Sequence, residues 1–475
     1  MTLSPNKTKI VCTIGPASDS ADIMERMLLA GMNVARLNFS HGDFSGHERV
    51  IRNLRVAARS TGRRLAIMAD LPGPKMRIGL LENEPVELTP GDRFTLTAEE
   101  ITGNVERVSV TFSKLPRVVS PGTTLYVNDG LIQLEVEKVK GNDVRCRVVV
   151  GGELRSRKGL NLPGIDLGIS AFTDHDRNCM KFALDNGVDA ISQSFVNSAD
   201  DIRAVREAAD EQGYQPFVIA KIERSNALDH LEEIVDAADG IMIARGDLGV
   251  EVPIEQIPVV QKRLMRLANM RVKPVITATQ MLESMTQNRR PTRAEATDVA
   301  NAILDGTDCV MLSSESAMGS YPVEAVEMLA KIAAAIEPQR PAIAVRDVFS
   351  EVDLKGKVLP MHLIALGVEA GFEYATPAAV FVPTRSGATA RRIAVFRLPV
   401  PVVAVSSQEA TCQRLQFSSG VCPVHETYHP EDWSAYVKKW VSDHGLSGDM
   451  VILAEGPSTK HPEANHRMEV IDLGR

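Results

Sequence analysis

Eight short apolar runs rich in β-branched residues recur along the chain, at 9–14 (KIVCTI), 33–38 (NVARLN), 65–70 (LAIMAD), 189–195 (DAISQSF), 217–222 (FVIAKI), 240–245 (GIMIAR), 274–279 (PVITAT) and 309–314 (CVMLSS). Between them lie segments such as 22–31, 200–213 and 258–270, whose apolar residues return at helical spacing and which often close on glycine or another turn residue. Strand followed by helix, repeated, predicts parallel βα units, and eight of them predict a closed (β/α)8 barrel of the α/β class.

The rhythm breaks once. The runs 86–98, 106–112, 123–139 and 143–152 alternate polar and apolar positions between Gly, Asn and Asp turns, as short antiparallel strands do. An inserted all-β domain is therefore expected over 75–167, leaving the chain after the third barrel strand and covering the barrel mouth as a lid. The barrel itself is expected over 1–74 and 168–340. Proline-rich 338–347 reads as a linker. The remainder, 341–475, reads as an open α/β domain with helices over 361–373, 387–397, 409–417 and 431–443 and strands over 378–384, 400–406, 421–426, 450–456 and 468–474.

Composition narrows the class without deciding it. A chain of 475 residues exceeds a single ordinary core, and 44% hydrophobic with 24% charged residues is a globular balance, not a disordered one. Six cysteines without C-x-x-C or dense spacing suggest neither a disulfide framework nor a zinc site, so a reducing compartment is expected. No run of ~18 apolar residues suggests a membrane span, and the N-terminus lacks a long apolar stretch behind a basic start. A cytoplasmic protein without membrane attachment is the expectation. The net charge of −8 argues against a nucleic-acid partner.

Candidate chemistry gathers where the apolar runs stop. Arg36, Asn38, Ser40 and His41 end the second strand, Asp70 the third, Lys221 and Glu223 the fifth, Arg245, Gly246 and Asp247 the sixth, Thr279 the seventh, and Ser313 and Glu315 the eighth. In a barrel these ends converge on one mouth. Glu223 and Asp247 offer hard oxygens suited to Mg²⁺ or Mn²⁺, or they are loop carboxylates facing solvent. Lys221, inside an apolar run, is either a partly desolvated ammonium facing a growing negative charge or a lysine that snorkels to water. ARGDLGVEVP (244–253) suits backbone capture of a carboxylate at a helix start, or is an ordinary β-to-α turn. Thr279 could relay a proton or merely cap a helix. No G-x-x-x-x-G-K-[ST], G-x-G-x-x-G or H-E-x-x-H occurs, which removes P-loop, Rossmann and zincin readings.

Taken together, TKIVCTIGPAS (8–18), MNVARLNFSHG (32–42), DLPGPKMRIG (70–79), SRKGLNLPG (156–164), KIER (221–224), ARGDLGVE (244–251), ITATQMLESM (276–285) and the stretch 291–322 resemble the pyruvate kinase family, in order, over barrel and insertion. The resemblance implies transfer of the phosphoryl group of phosphoenolpyruvate to ADP, giving pyruvate and ATP at the last step of glycolysis, with Mg²⁺ or Mn²⁺. It implies that Arg36 and Lys221 hold the moving phosphoryl and that Glu223 and Asp247 bind the metal. Gly246 and Asp247 backbone, with Ser313, would bind substrate. Thr279 would lie near the face where C3 is protonated. Arg77 and Lys158, with Asn38 and His41, would meet the nucleotide. Members that need K⁺ carry Asp-Thr-Lys-Gly-Pro-Glu where this chain has Asp70 to Lys75. Asn38, Ser40 and Asp70 match the K⁺ pocket, and the Lys75 ammonium is expected to replace the ion, so that K⁺ is not required.

In the last domain TRSGATAR (384–391), with Thr384, Arg385, Ser386, Gly387 and Thr389, resembles a sugar-phosphate effector loop. The stretch 455–470 departs from the family's Gly-Thr-Thr-Asn, leaving the effector's identity open. A homotetramer is implied by the family alone. The rival enzyme is a barrel lyase or aldolase working on a Mg²⁺-bound enolate, which needs no nucleotide-closing lid. A silent metabolite sensor on the same fold would be expected to have lost Lys221 or a metal carboxylate.

Overall fold

A computed structural model describes residues 3–340, 360–456 and 465–474. Eight parallel strands close into a barrel in the order Lys9–Thr13, Met32–Asn38, Ala66–Asp70, Ala190–Gln193, Phe217–Ile222, Gly240–Ala244, Val275–Ala278 and Cys309–Leu312, the last pairing back onto the first. All eight expected runs are strands. Several of the helices between them start on side-chain caps. Thr173, Ser198 and Thr292 each form a reciprocal capping box with Asp176, Asp201 and Glu295, satisfying amides that a helix leaves bare.

Alternation along each strand sorts the core into two layers. Outward residues such as Ile10, Leu37, Ile67, Val218 and Ile241 pack against the helices. Inward residues, among them Val34, Met68, Phe217, Ile219, Met242 and Met311, fill the barrel, joined by Phe417 from the C-terminal domain.

After the third strand the chain builds the lid, a six-stranded sheet in the order Leu160–Asn161, Thr124–Val127, Ile132–Lys140, Asp143–Val150, Arg93–Thr97, Arg107–Ser109. A two-stranded ribbon, Gly152–Leu154 with Val86–Leu88, lies beside it. Pairing is antiparallel except between Arg93–Thr97 and Arg107–Ser109. Phe94, Leu96, Leu134 and Val144 belong to a core that is the lid's own.

The C-terminal domain is a five-stranded sheet ordered Val421–His425, Val402–Ser406, Val380–Pro383, Met450–Glu455, Arg467–Asp472. Its last strand runs antiparallel, so the sheet is mixed. The expected helix over 409–417 is an α-helix at Glu409–Arg414 that tightens to a 3₁₀ turn at Leu415–Phe417. Most of the expected linker 338–347, and residues 457–464 of the divergent stretch, lie outside the described residues. All six cysteines are free. Among the described residues no helix is long and apolar enough to cross a membrane.

Candidate active site

The inward columns change character along the barrel. Val34, Arg36 and Asn38 share one face of a strand, as do Ala66, Met68 and Asp70, and Phe217, Ile219, Lys221 and Glu223. Each column is apolar at its base and polar at its C-terminal end, so charged side chains from several strands meet above the packed layer.

Asp70, 1% exposed, is the hub. It accepts Arg36 Nε at 2.8 Å and also Nη2, and Lys221 Nζ lies 3.2 Å from Oδ1. Arg36 Nη1 donates to Thr13 Oγ1 at 2.9 Å, and that hydroxyl donates to the Leu312 carbonyl. Lys221 Nζ donates to Ser194 Oγ at 2.6 Å and pairs with Glu223 Oε1 at 2.9 Å. Glu223 Oε2 accepts the Phe195 amide at 2.7 Å. Burial pushes the Asp70 carboxyl up, but Lys221 and Arg36 outweigh it and hold the group below its ordinary value. Burial likewise depresses Lys221, and Asp70 and Glu223 together overcome it and hold the ammonium above its usual value. Lys221 is therefore charged at neutral pH although buried.

At the sixth strand end the helix Arg245–Glu251 starts at once, and Gly246 lies against Thr279. A Cβ on Gly246 would sit 2.7 Å from Thr279 Cγ2, so only glycine allows that approach. Thr279 is held at φ 75, an uncommon conformation for a β-branched residue. Arg245 braces this turn, donating to the Ala278 and Thr279 carbonyls at 3.2 and 2.9 Å and pairing with Asp298 at 2.7 Å. Its expected place in the mouth is thus given up to support. Glu315 ties two strand ends together, accepting the Leu282 and Ser313 amides at 3.0 and 2.7 Å.

The lid's returning edge, Gly159 to Asn161, faces Phe195, Arg224 and Asp247 of the barrel across a narrow gap. Within the lid, the Lys158 carbonyl accepts the Ile78 amide at 2.9 Å and Arg77 bridges Gly159. Lys75, exposed, lines a narrow gap between lid and barrel with Phe195, Asp247 and Glu251. Burial, then the charges of Arg77, Lys75 and Arg36, hold the His41 imidazole below its ordinary value. Arg77, Lys75 and Arg36 all lie near enough to bear on this imidazole, a local positive charge suited to an anion. Asn38 lies in register with Asp70, and its Oδ1 accepts the Ser40 amide at 3.1 Å.

Thr384, Arg385, Ser386, Gly387 and Thr389 are not part of this site. They follow strand Val380–Pro383 in the C-terminal domain, with Arg385 and Ser386 exposed and Gly387 at φ 81. The Gly387 amide donates to Thr384 Oγ1 at 2.9 Å, which closes the loop on itself.

Among the described residues no group of three or more His, Cys, Asp or Glu side chains could hold a metal. A divalent ion here would have two carboxylates. Burial lifts the Glu223 carboxyl, Lys221 draws it down and Asp247 lifts it further, leaving it above its ordinary value. The acids repel each other, and a hard cation between them would relieve this while leaving positions for substrate oxygens and water. The donor set fits Mg²⁺ or Mn²⁺.

Sequence models of the pyruvate kinase barrel domain and alpha/beta domain match residues 5–326 and 367–471. The chain belongs to the pyruvate kinase family. It is 46% identical to the pyruvate kinase of Thermococcus litoralis over 100% of both chains. It is 42% identical to that of Geobacillus stearothermophilus over 98% of this chain and 80% of the relative. A crystal structure of a pyruvate kinase from Cryptosporidium parvum superposes with a TM-score of 0.91 at 33% identity, covering 99% of this chain and 96% of that one. The protein is thus a glycolytic phosphotransferase acting on phosphoenolpyruvate and ADP, and pyruvate kinases typically use a divalent metal.

Three further residues, Ser194, Thr13 and Phe195, touch this pyruvate kinase site without standing out in the chain's pattern of charges and motifs. Ser194 was legible in principle, because alternation in DAISQSF places Ser192 and Ser194 inward with Ala190. Thr13 follows Val11 inward in the same way. Phe195, at φ 57, offers its amide to Glu223 through a backbone twist that composition does not announce.

Proposed function

We propose that Arg36 and Lys221 hold the phosphoryl group in transit, that Glu223 and Asp247 hold the divalent ion, that the Gly246 and Asp247 backbone receives the substrate carboxylate, and that Ser313 also binds substrate. The observation that carries this reading is the Lys221 ammonium, buried and held between Asp70, Ser194 and Glu223. An ammonium so placed meets incoming negative charge without reorganising, and phosphoryl transfer relies mainly on positioning and charge neutralisation. The ion, when bound, neutralises phosphoryl and enolate oxygens. Arg77 and Lys158 orient the nucleotide phosphates from the lid, and Asn38 and His41 meet the nucleotide from the barrel rim. Thr279 guards the face on which C3 of the released enolate takes its proton.

Lys75 supplies the monovalent charge beside Asn38, Ser40 and Asp70, so K⁺ is dispensable. Thr384, Arg385, Ser386, Gly387 and Thr389 bind a phosphorylated sugar that activates the enzyme. The domain limits fall at 74/75, 167/168 and 340/341, and the enzyme works as a cytoplasmic homotetramer. A lactate-dehydrogenase-coupled assay tests the core of this reading. Lys221→Met is expected to abolish ADP-dependent pyruvate formation in a folded protein, and retention of turnover refutes it. Running the wild type with tetramethylammonium as sole monovalent cation tests Lys75: collapse until K⁺ is added rules out the substitution. Flat phosphoenolpyruvate saturation with every sugar phosphate tried rules out the activator.

A further inference from the structure

Phe417 belongs to the C-terminal domain, yet it is fully buried in the interior core of the barrel. Its ring stacks on Phe217 with centroids 5.2 Å apart and planes 13° from parallel. Its carbonyl accepts the Cys309 thiol at 3.3 Å, at the start of the eighth strand. Two residues on, the Ser419 amide donates to Asp308 Oδ1 at 2.9 Å, and the same carboxylate pairs with Arg397 at 2.7 Å. The Arg391 guanidinium lies over the other partner, 5.5 Å from the Phe217 centroid. The C-terminal domain therefore closes the base of the barrel with a ring, two backbone hydrogen bonds and two arginines.

Phe217 is the first residue of the strand whose inward column continues through Ile219 to Lys221 and Glu223. Four residues of strand span about 13 Å. The ring of Phe417 is thus the floor of the column that carries the ammonium and one metal carboxylate. Close-packed interiors transmit displacement instead of absorbing it. Within the C-terminal domain, Gly387 packs so closely on this turn that a Cβ there would lie 2.9 Å from Leu415 Cδ2, and Thr411 Oγ1 donates to the Arg385 carbonyl at 2.6 Å. The turn that delivers Phe417 is therefore also the turn on which the 384–389 loop rests.

We infer that Phe417 is a positioning residue for phosphoryl transfer, acting through Phe217 and Ile219 to set Lys221 and Glu223. The inference rests on the proposed roles of those two residues. Phe417→Ala opens a cavity under the column, into which the neighbours partly collapse. At a temperature well below unfolding, kcat is expected to fall about tenfold, and the Mg²⁺ concentration for half-activation to rise by a similar factor. Phe381→Leu, altering a buried ring in the C-terminal domain's other core, serves as control. It is expected to lower Tm while leaving kcat and half-activation unchanged. If Phe417→Ala shows no cooperative unfolding transition, Phe417→Leu decides instead, with a smaller loss in the same two quantities. Wild-type kcat and Mg²⁺ dependence in the deciding variant overturn the inference, and so does an equal loss in Phe381→Leu. Glu223→Ala is run alongside. If it keeps its metal response the site reading itself fails, whereas a dead Glu223→Ala beside an unaffected Phe417 variant removes only the positioning role.

Discussion

Gly246→Ala is the smallest change that should damage catalysis while nearly sparing the fold. The added methyl would lie 2.7 Å from Thr279 Cγ2, whereas carbon atoms pack at about 3.5 Å or more. Thr279 or the helix must therefore give by about 0.8 Å. On stability two effects oppose: alanine favours the helix by about 1 kcal/mol, and overpacking costs about 1–3 kcal/mol. The difference amounts to a few degrees in Tm at most. On rate nothing compensates, because a misplacement near 1 Å can cost about 100-fold. Steady-state kinetics on phosphoenolpyruvate, with Tm from differential scanning fluorimetry, should show that fall in kcat at nearly unchanged Tm. Thr279→Ser removes the offending Cγ2, so adding it to Gly246→Ala should recover part of the loss. A single variant with kcat within about twofold of wild type would refute the steric argument.

Other consequences follow from the hub and from the rim. Asp70→Asn leaves Arg36 and Lys221 facing each other without their shared anion, and breaking a buried pair of this kind costs about 3–5 kcal/mol. Chemical denaturation should show that loss, and the coupled assay near-background turnover. His47, stacked on Phe39 at 4.3 Å, is held below its ordinary 6.5 by burial, against the opposing pull of its hydrogen bond to the His41 carbonyl and of Asp43. The unfolded chain then binds this proton more readily than the native one, so stability is lost as pH falls from 6.5 toward the lower native value. Tm measured against pH should decline less steeply over that window in His47→Gln, and parallel curves would count against the assignment.

How much of this was legible in the sequence depended on whether the controlling contacts were local. Parallel strands buried on both faces write continuous apolar runs, which is why FVIAKI and GIMIAR could be placed as Phe217–Ile222 and Gly240–Ala244. Lys221 and Asp70 stood out because a charge inside or at the end of such a run is costly without a partner, and here each is partner to the other. Arg245 stood out for the same reason, yet it turned to the carbonyls of the next strand's loop, a choice made by tertiary packing. Phe195 and Thr279 owe their positions to backbone angles, which residue type alone does not encode. Phe417 was the least legible. The pattern makes it the last residue of an expected helix over 409–417, and only the docking of one domain under another makes it part of the barrel.

On the reading proposed here, carboxylates at the barrel rim hold the divalent ion on which phosphoryl transfer depends. The deciding measurement is ATP formation from phosphoenolpyruvate and ADP by folded Glu223→Ala, followed as Mg²⁺ is raised to saturation for the wild type. No ATP above background is expected at any Mg²⁺ concentration in that range. Wild-type turnover with an unchanged Mg²⁺ requirement would rule out Glu223 as a ligand of the ion.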